Sequence, residues 1–191
     1  MSLILKDISA QRLEAVLVQF GVPARKWSEI NDAQTIEDLH AMLEKEDAEL
    51  RIGATGIRLT MVVVQMLIQD HQGLLGYLLE ERQITPEGMQ LELNRPPAGH
   101  IKVGEDPETA LCRELKEELG LNQDDYTIVP GMVRSRLSAS SKFPGLQKET
   151  EFRQFWVRLK PNVKIENGFQ RVDPTSGKTL TFRWAQTLPK F

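Results

Sequence analysis

Three glutamates near the middle of this 191-residue chain are its strongest indication of chemistry. Glu114, Glu117 and Glu118 stand at i, i+3 and i+4, so they share one face if the segment is helical. Carboxylates crowded within one turn repel each other, and a divalent cation would relieve that repulsion. Oxygen ligands of this kind suit Mg²⁺, or Mn²⁺ in its place, and diphosphate oxygens can complete the coordination. A metal site that handles phosphate groups is therefore one interpretation of these three residues.

A helix has to position these carboxylates, and the flanking residues indicate where it begins and ends. Asp106 followed by Pro107 is typical of an N-cap and a first helical residue. Gly120 suits the left-handed residue that closes a helix. We therefore expect a helix from about Pro107 to Leu119, with leucines at four-residue spacing that bury one of its sides.

The segment ELKEEL alone also fits a solvated acidic helix face supported by Lys116. The residues around it favour a functional site, because they complete the pattern G-x5-E-x7-R-E-U-x-E-E-x-G-U, in which U is aliphatic. The additional members of the pattern are Gly99, Glu105, Arg113, Leu115, Gly120 and Leu121. Residues 99–121, called the box below, resemble the signature of the Nudix hydrolases without a substitution.

This resemblance implies a role for each polar residue of the box. Glu114 and Glu118 would be the principal metal ligands, and Glu117 would complete a multi-metal site. The backbone carbonyl of Gly99 would be a further ligand. Glu105 and Arg113 are implied to be partly structural, because an arginine paired with a carboxylate can lock the loop against the helix and orient the ligands.

The general base is left open by the resemblance, because it differs among members of the family. The candidates are Glu105, Glu117 and an acid at the start of a later strand, Glu149 or Glu151, of which Glu151 is preferred. An exposed strand glutamate without a catalytic role is an equally common interpretation of Glu151.

The resemblance implies hydrolysis of the diphosphate linkage in a nucleoside diphosphate joined to another group. The tract RPPAG, which ends at the first residue of the box, favours ADP-ribose or ADP-sugar substrates, but the proline expected near Arg136 or Leu137 is absent. Arg95 and Arg136 are candidate phosphate contacts, with a structural ion pair and a solvated strand face as the respective alternatives. A nucleotide-binding regulator with this fold and little hydrolysis is the second hypothesis, although the box keeps every glutamate.

For the fold we expect an α/β (α+β) chain, a Nudix-type α/β/α sandwich with a mixed sheet and an N-terminal helical extension. Residues 1–50 form the predicted extension, with one helix after Ser9 and another after Thr35. Residues 51–191 form the predicted Nudix domain. Its predicted strands are 57–69, 74–81, 91–95, 126–137, 150–159 and 179–184, and the first two are expected to form a hairpin.

Composition limits the partners. The net charge of −3 supplies no basic surface for nucleic acid, and the most hydrophobic run, LTMVVVQMLI, is too short to cross a bilayer. We therefore expect a cytoplasmic protein that binds a small nucleotide and neither nucleic acid nor membrane. The apolar stripe of Leu39, Met42 and Leu43 would pack on the catalytic domain or on a partner subunit, so a homodimer is one expectation.

Overall fold

The computed structural model describes residues 3–5, 7–31, 33–54 and 56–189. Its helices are α1 (Ala10–Gln19), α2 (Ile36–Glu44) and α3 (Pro107–Glu114), with a π-helical turn at Leu115–Leu119 and 3₁₀ turns at Ala24–Glu29 and Gln123–Asp125. Its strands are β1 (Leu3–Leu5), β2 (Glu49–Gly53), β3 (Gly56–Gln69), β4 (Tyr77–Ile84), β5 (Gln90–Arg95), β6 (Ala98–Ile101), β7 (Tyr126–Ala139), β8 (Gln147–Leu159), β9 (Phe169–Val172) and β10 (Thr179–Ala185). The fold class is α+β, as predicted.

The strands of the described residues form two sheets. One has the order β1-β2-β3-β8-β7, with β6 also paired to β3, and the other has the order β5-β4-β10-β9. The chain divides into two compact units. Unit 1 contains residues 1–63, 100–105 and 134–152, and unit 2 contains residues 64–99, 106–133 and 153–191.

Unit 1 is built around the N-terminal helices. Ser9 caps α1, and Thr35 and Asp38 form the predicted capping box at the start of α2. Leu39 of α2 is completely buried in a core that also contains Trp27, whose ring contacts Phe143 at a centroid distance of 5.3 Å. Met42 and Leu43 pack against this core, so the predicted apolar stripe is used inside the unit.

The N-terminal segment also contains strands that the sequence did not predict. Residues 3–5 pair antiparallel with residues 50–52, and β2 in turn pairs with β3. Neither compact unit ends at residue 50, and the division into an extension and a catalytic domain stays a prediction. Residues 1, 2, 6, 32, 55, 190 and 191 of those predicted domains lie outside the described residues.

The two strands expected as a hairpin both exist, but the hairpin is wrong. β3 and β4 belong to different sheets, because β4 pairs with β5 and with β10. The connection is held by the carboxylate of Asp70, which accepts hydrogen bonds from the backbone N–H groups of Gln72 and Leu75. Gly76 then has φ +84°, and the space beside its Cα is filled by the backbone of Ala185 in β10. These contacts direct the chain to β10.

Unit 2 contains the box helix and its support. Leu111, Leu115 and Leu119 are at most 5 % exposed, so the predicted apolar stripe of the helix is buried. The second sheet lies within this unit, and Leu180 and Phe182 of β10 are also buried. Burial of each such leucine side chain contributes about 1.5–3 kcal/mol to the stability of the folded state.

Candidate active site

The box helix begins as the sequence predicts. The Asp106 carboxylate accepts hydrogen bonds from the backbone N–H groups of Glu108 and Thr109, both at 3.0 Å, and Pro107 occupies the first turn. These contacts satisfy N–H groups that have no partner inside the helix. The start of the helix, and with it the first glutamate of the site, is thereby fixed.

The helix differs from the prediction after Glu114. Regular α-helical geometry ends there, and Leu115–Leu119 form a π-helical turn that closes at Gly120 with φ +74°. In a π turn an N–H group bonds to the carbonyl five residues before it. Glu117 and Glu118 therefore lie in the π turn and Glu114 lies in the α-helix, although all three belong to one continuous helical segment.

Arg113 joins two of the glutamates. Its Nη1 lies 2.6 Å from Oε1 of Glu114 and 3.5 Å from Oε2 of Glu117. The three side chains are largely shielded, with exposures of 25 %, 11 % and 28 %. A guanidinium between two such carboxylates offsets part of their mutual repulsion and limits their orientations.

Glu114 is buried, with 8 % of its surface exposed. Its carboxylate lies against Gly99, where it fills the space that a Cβ atom at position 99 would need. Burial raises the pKa of Glu114, and the charges of Glu117 and Asp173 add to this effect, while the bond from Arg113 opposes it. The structure thus brings Gly99 and Glu114 together, as a shared site requires.

Glu118 carries a buried oxygen without a partner among the described residues. Its Oε2 is inaccessible and accepts no hydrogen bond in this part of the chain. Burial raises the pKa of Glu118 well above the ordinary value, and the nearby charges of Glu114, Glu80 and Asp173 raise it further. An unsatisfied buried carboxylate oxygen is costly and is a feature that calls for a ligand.

Two further carboxylates act on this cluster, and the sequence analysis did not find them. Glu80 of β4 is 1 % exposed, and it accepts hydrogen bonds from Arg95 at 3.2 Å and from Gln83 at 2.5 Å. Asp173 follows β9 and accepts a hydrogen bond from the Thr175 N–H. A charged residue inside the apolar run YLLEE was the available signal for Glu80, because a buried charge needs a partner.

Arg95 is therefore part of an ion pair with a buried carboxylate. Its side chain remains 45 % exposed, so part of the guanidinium is still accessible. The ion pair is one of the two interpretations of Arg95. The accessible part of its guanidinium could also contact phosphate, and that role is a proposal.

Three predicted site residues belong to unit 1. Glu105 accepts a hydrogen bond from the backbone N–H of Lys102 at 2.9 Å, a contact within the loop that leads to the helix. Glu151 lies half-buried on β8, and Arg136 lies exposed on β7. Their roles as general base and phosphate contact stay predictions.

The donor set agrees with a hard divalent cation. Among the described residues, no three acidic, histidine or cysteine side chains already converge on one point. Glu114 and Glu117 are both paired with Arg113. Oε2 of Glu118 is nevertheless unsatisfied, and the Glu114 carboxylate lies close to the Gly99 backbone. Mg²⁺ and Mn²⁺ accept such oxygen-only surroundings. The residues present therefore fit such an ion.

Comparison with protein families identifies the domain. The model of the NUDIX domain matches residues 58–186, which is more than half of the chain. The chain belongs to the Nudix family. With every glutamate of the box in place, it is a Nudix pyrophosphohydrolase. Nudix proteins generally use a divalent metal such as Mg²⁺ and act on small nucleotide substrates.

The solved structures that this chain resembles include the following three proteins. The dihydroneopterin triphosphate pyrophosphohydrolase of E. coli has a TM-score of 0.45 and 16 % identity, covering 65 % of this chain and 80 % of that one. The Ap4A hydrolase of C. elegans has a TM-score of 0.36 and 18 % identity, over 64 % and 80 % of the two chains. A NUDIX hydrolase of Nitrosomonas europaea has a TM-score of 0.38 and 22 % identity, over 65 % and 72 %. Comparison with curated proteins found no match.

Proposed function

We propose that this Nudix pyrophosphohydrolase cleaves the diphosphate linkage of a nucleoside diphosphate joined to another group, with ADP-ribose or an ADP-sugar preferred, and that it depends on Mg²⁺. The observation that carries the proposal is the buried Oε2 of Glu118, which has no protein partner in the described part of the chain. A stabilising role alone would not account for it, because an unpaired buried carboxylate oxygen destabilises the folded state.

Glu114 and Glu118 would hold the metal, with Glu117 and the Gly99 carbonyl as further ligands. When bound, the ion neutralises charge that develops on the phosphorus oxygens and lowers the pKa of a water molecule. Arg113 orients Glu114 and Glu117 through the contacts described above, and it compensates their charge. The chain itself supplies positioning and charge rather than a covalent intermediate.

The general base would remove a proton from the attacking water. Glu105, Glu117 and Glu151 remain the candidates, and Glu151 is preferred because it lies on a strand, where this family often supplies another carboxylate. The separate replacements Glu105→Gln, Glu117→Gln and Glu151→Gln distinguish them, because only the base variant should lose the fall of kcat toward low pH that protonation of the base produces.

The substrate preference rests on the RPPAG tract and on the two arginines. Arg95 and Arg136 would contact phosphate oxygens, and the accessible part of the Arg95 guanidinium supports this role for that residue. A Mg²⁺-dependent hydrolysis screen with chromatographic detection of products tests the proposal. It should include ADP-ribose, ADP-glucose, NADH, diadenosine polyphosphates and nucleoside triphosphates.

The expected result is turnover of ADP-ribose or ADP-glucose that EDTA abolishes and Mg²⁺ restores. Turnover of another nucleotide would support the proposed hydrolase activity and contradict the proposed substrate. A nucleotide that binds tightly without turnover would favour the alternative of a regulatory protein.

A homodimer and a cytoplasmic location are further parts of the proposal. No helix in the described ranges is long and apolar enough to span a membrane, and the cytoplasmic location stays an expectation from the sequence. The homodimer is a proposal supported by the edge strand β7, where Val129, Met132 and Val133 are 60–68 % exposed. Sedimentation velocity of the wild-type and Val133→Lys proteins tests it, because only a dimer that uses this strand should dissociate on substitution.

A further inference from the structure

Arg171 binds the end of the box helix from a distant part of the chain. This residue lies on β9, and its Nε donates a hydrogen bond to the carbonyl of Glu117 at 2.8 Å. Its second donor, Nη2, reaches the carbonyl of Lys116 at 3.3 Å. A guanidinium at this position also opposes the negative end of the helix dipole.

The π turn makes the Glu117 carbonyl available for this contact. In an α-helix that ends in a Schellman motif at Gly120, the Gly120 N–H would bond to Glu117 and the Leu121 N–H to Lys116. Here both bonds reach one residue farther back. Gly120 bonds to the carbonyl of Lys116 at 3.0 Å, and Leu121 bonds to the carbonyl of Leu115 at 3.2 Å.

No nearby backbone donor takes the place of the missing bond among the described residues. The next N–H group, that of Asn122, donates to the Asp125 carboxylate at 2.7 Å. The Glu117 carbonyl therefore depends on the Arg171 side chain for its hydrogen bond. Arg171 satisfies a carbonyl that the π turn would otherwise leave without a partner.

Gly120 provides the space for the guanidinium. A Cβ atom on residue 120 would lie 2.6 Å from Nη1 of Arg171 and 3.0 Å from its Cζ. The glycine thus has a packing role in addition to its left-handed conformation, and the closing residue of the box and Arg171 form one arrangement.

We infer that Arg171 is a positioning residue, which holds the π turn so that the Glu117 and Glu118 carboxylates keep the directions needed to bind a divalent cation. This inference rests on the proposed metal-dependent function. Arg171 would act through the backbone of the turn and would not touch the substrate. Residues that orient metal ligands in this indirect way typically change metal affinity about 10–100-fold when they are replaced.

Direct Mn²⁺ titration, followed by the electron paramagnetic resonance signal of the free ion, tests the inference without reference to catalysis. Arg171→Met removes the guanidinium but keeps an aliphatic side chain, and Arg171→Lys keeps the charge. The matched control is Arg158→Met, because Arg158 donates its hydrogen bond to the Gln69 side chain at 2.9 Å instead of to the helix.

We expect Arg171→Met to weaken Mn²⁺ binding about 10-fold or more, Arg171→Lys to recover part of the loss, and Arg158→Met to bind as the wild type does. In metal-free protein, hydrogen exchange at the Gly120 and Leu121 amides should be faster in Arg171→Met than in the control. If Arg171→Met does not fold, an intermediate affinity of Arg171→Lys supplies the same evidence.

Wild-type Mn²⁺ affinity in folded Arg171→Met, or an equal loss in Arg158→Met, would overturn the inference and leave the proposed hydrolase in place. Wild-type protein that binds Mn²⁺ but hydrolyses nothing in the screen would remove the proposed function and leave the positioning role. Wild-type protein that binds no Mn²⁺ would overturn both.

Discussion

The carboxylate of Glu114 lies where the Cβ atom of any larger residue at position 99 would have to be. The glycine that begins the box and the first glutamate of its helix are therefore in direct contact, although 15 positions separate them in sequence. Gly99 does not have a positive φ, so other residues could adopt its backbone conformation. The contact with Glu114 explains why glycine is nevertheless needed there.

Gly99→Ala should displace the Glu114 carboxylate and weaken metal binding. We expect kcat/KM to fall about 10–100-fold and the free energy of unfolding to fall by about 1–3 kcal/mol, because the added methyl group overpacks the contact. Steady-state kinetics over a range of Mg²⁺ concentrations and urea denaturation measure the two effects. Gly53→Ala is the control, because a Cβ atom there meets nothing within 4 Å. Unchanged Mg²⁺ dependence in Gly99→Ala would contradict the assignment of Glu114.

Glu118→Gln should remove Mg²⁺-dependent turnover and leave the fold intact, because it removes one charge with little change in shape. A loss of several kcal/mol of charge stabilisation corresponds to a decrease in kcat of at least about 100-fold. The assay is hydrolysis of the best substrate from the screen, with circular dichroism as the check on folding. Glu108→Gln, an exposed change in the same helix, should stay active. Full activity in Glu118→Gln would show that the metal site is misassigned.

The free energy of unfolding of metal-free protein should depend on pH because the pKa of Glu118 is raised in the folded state. The folded state raises the pKa of this carboxyl from its ordinary value of 4.5, so above that pH the folded protein holds a proton that the unfolded chain has lost. The free energy of unfolding should therefore decrease as the pH rises through this interval. Glu118→Gln cannot lose this stability, so metal-free Glu118→Gln should become progressively more stable than metal-free wild type above pH 4.5.

Urea denaturation in EDTA at a series of pH values measures this difference. Addition of Mg²⁺ provides the control, because a bound cation should stabilise the wild type and reduce the advantage of the variant. A stability difference that stays constant with pH would contradict the raised pKa of Glu118.

Variants of the Arg95–Glu80 ion pair distinguish a structural role of Arg95 from a contact with the substrate. Arg95→Met alone should lower the free energy of unfolding by about 1–3 kcal/mol, because the buried Glu80 carboxylate loses its cation. Adding Glu80→Gln should restore most of that stability. If Arg95 also binds phosphate, as we propose, KM should remain raised about 10-fold in the double variant. A KM that returns to the wild-type value would limit Arg95 to the ion pair.

The sequence predicted those elements whose signals are local. Asp106 and Pro107 fix the start of the box helix through neighbouring atoms, and the leucine spacing identifies the buried side. The π turn could not be predicted, because LKEEL is equally suited to an α-helix and the preference is settled by partners elsewhere in the chain. The same limitation explains β1 and β9, which are 3 and 4 residues long and too short to show a periodic pattern.

Long-range pairing accounts for the residues that were missed. Glu80 lies on β4 and Arg171 on β9, and both strands pair with β10. Their contribution to the box helix depends on this strand order and not on sequence distance. The predicted hairpin failed for the same reason, because the alternation of residues identifies a strand but not its partner.

The π turn at Leu115–Leu119 makes the site sensitive to the length of the chain as well as to its residue types. Deleting one residue of the turn would favour regular α-helical pairing and would change the directions of the side chains within the turn relative to Glu114. A single-residue deletion that conserved all the glutamates of the box would then point two of them in new directions. Insertions and deletions between Glu114 and Gly120 should consequently be tolerated less well than most substitutions at the exposed Lys116.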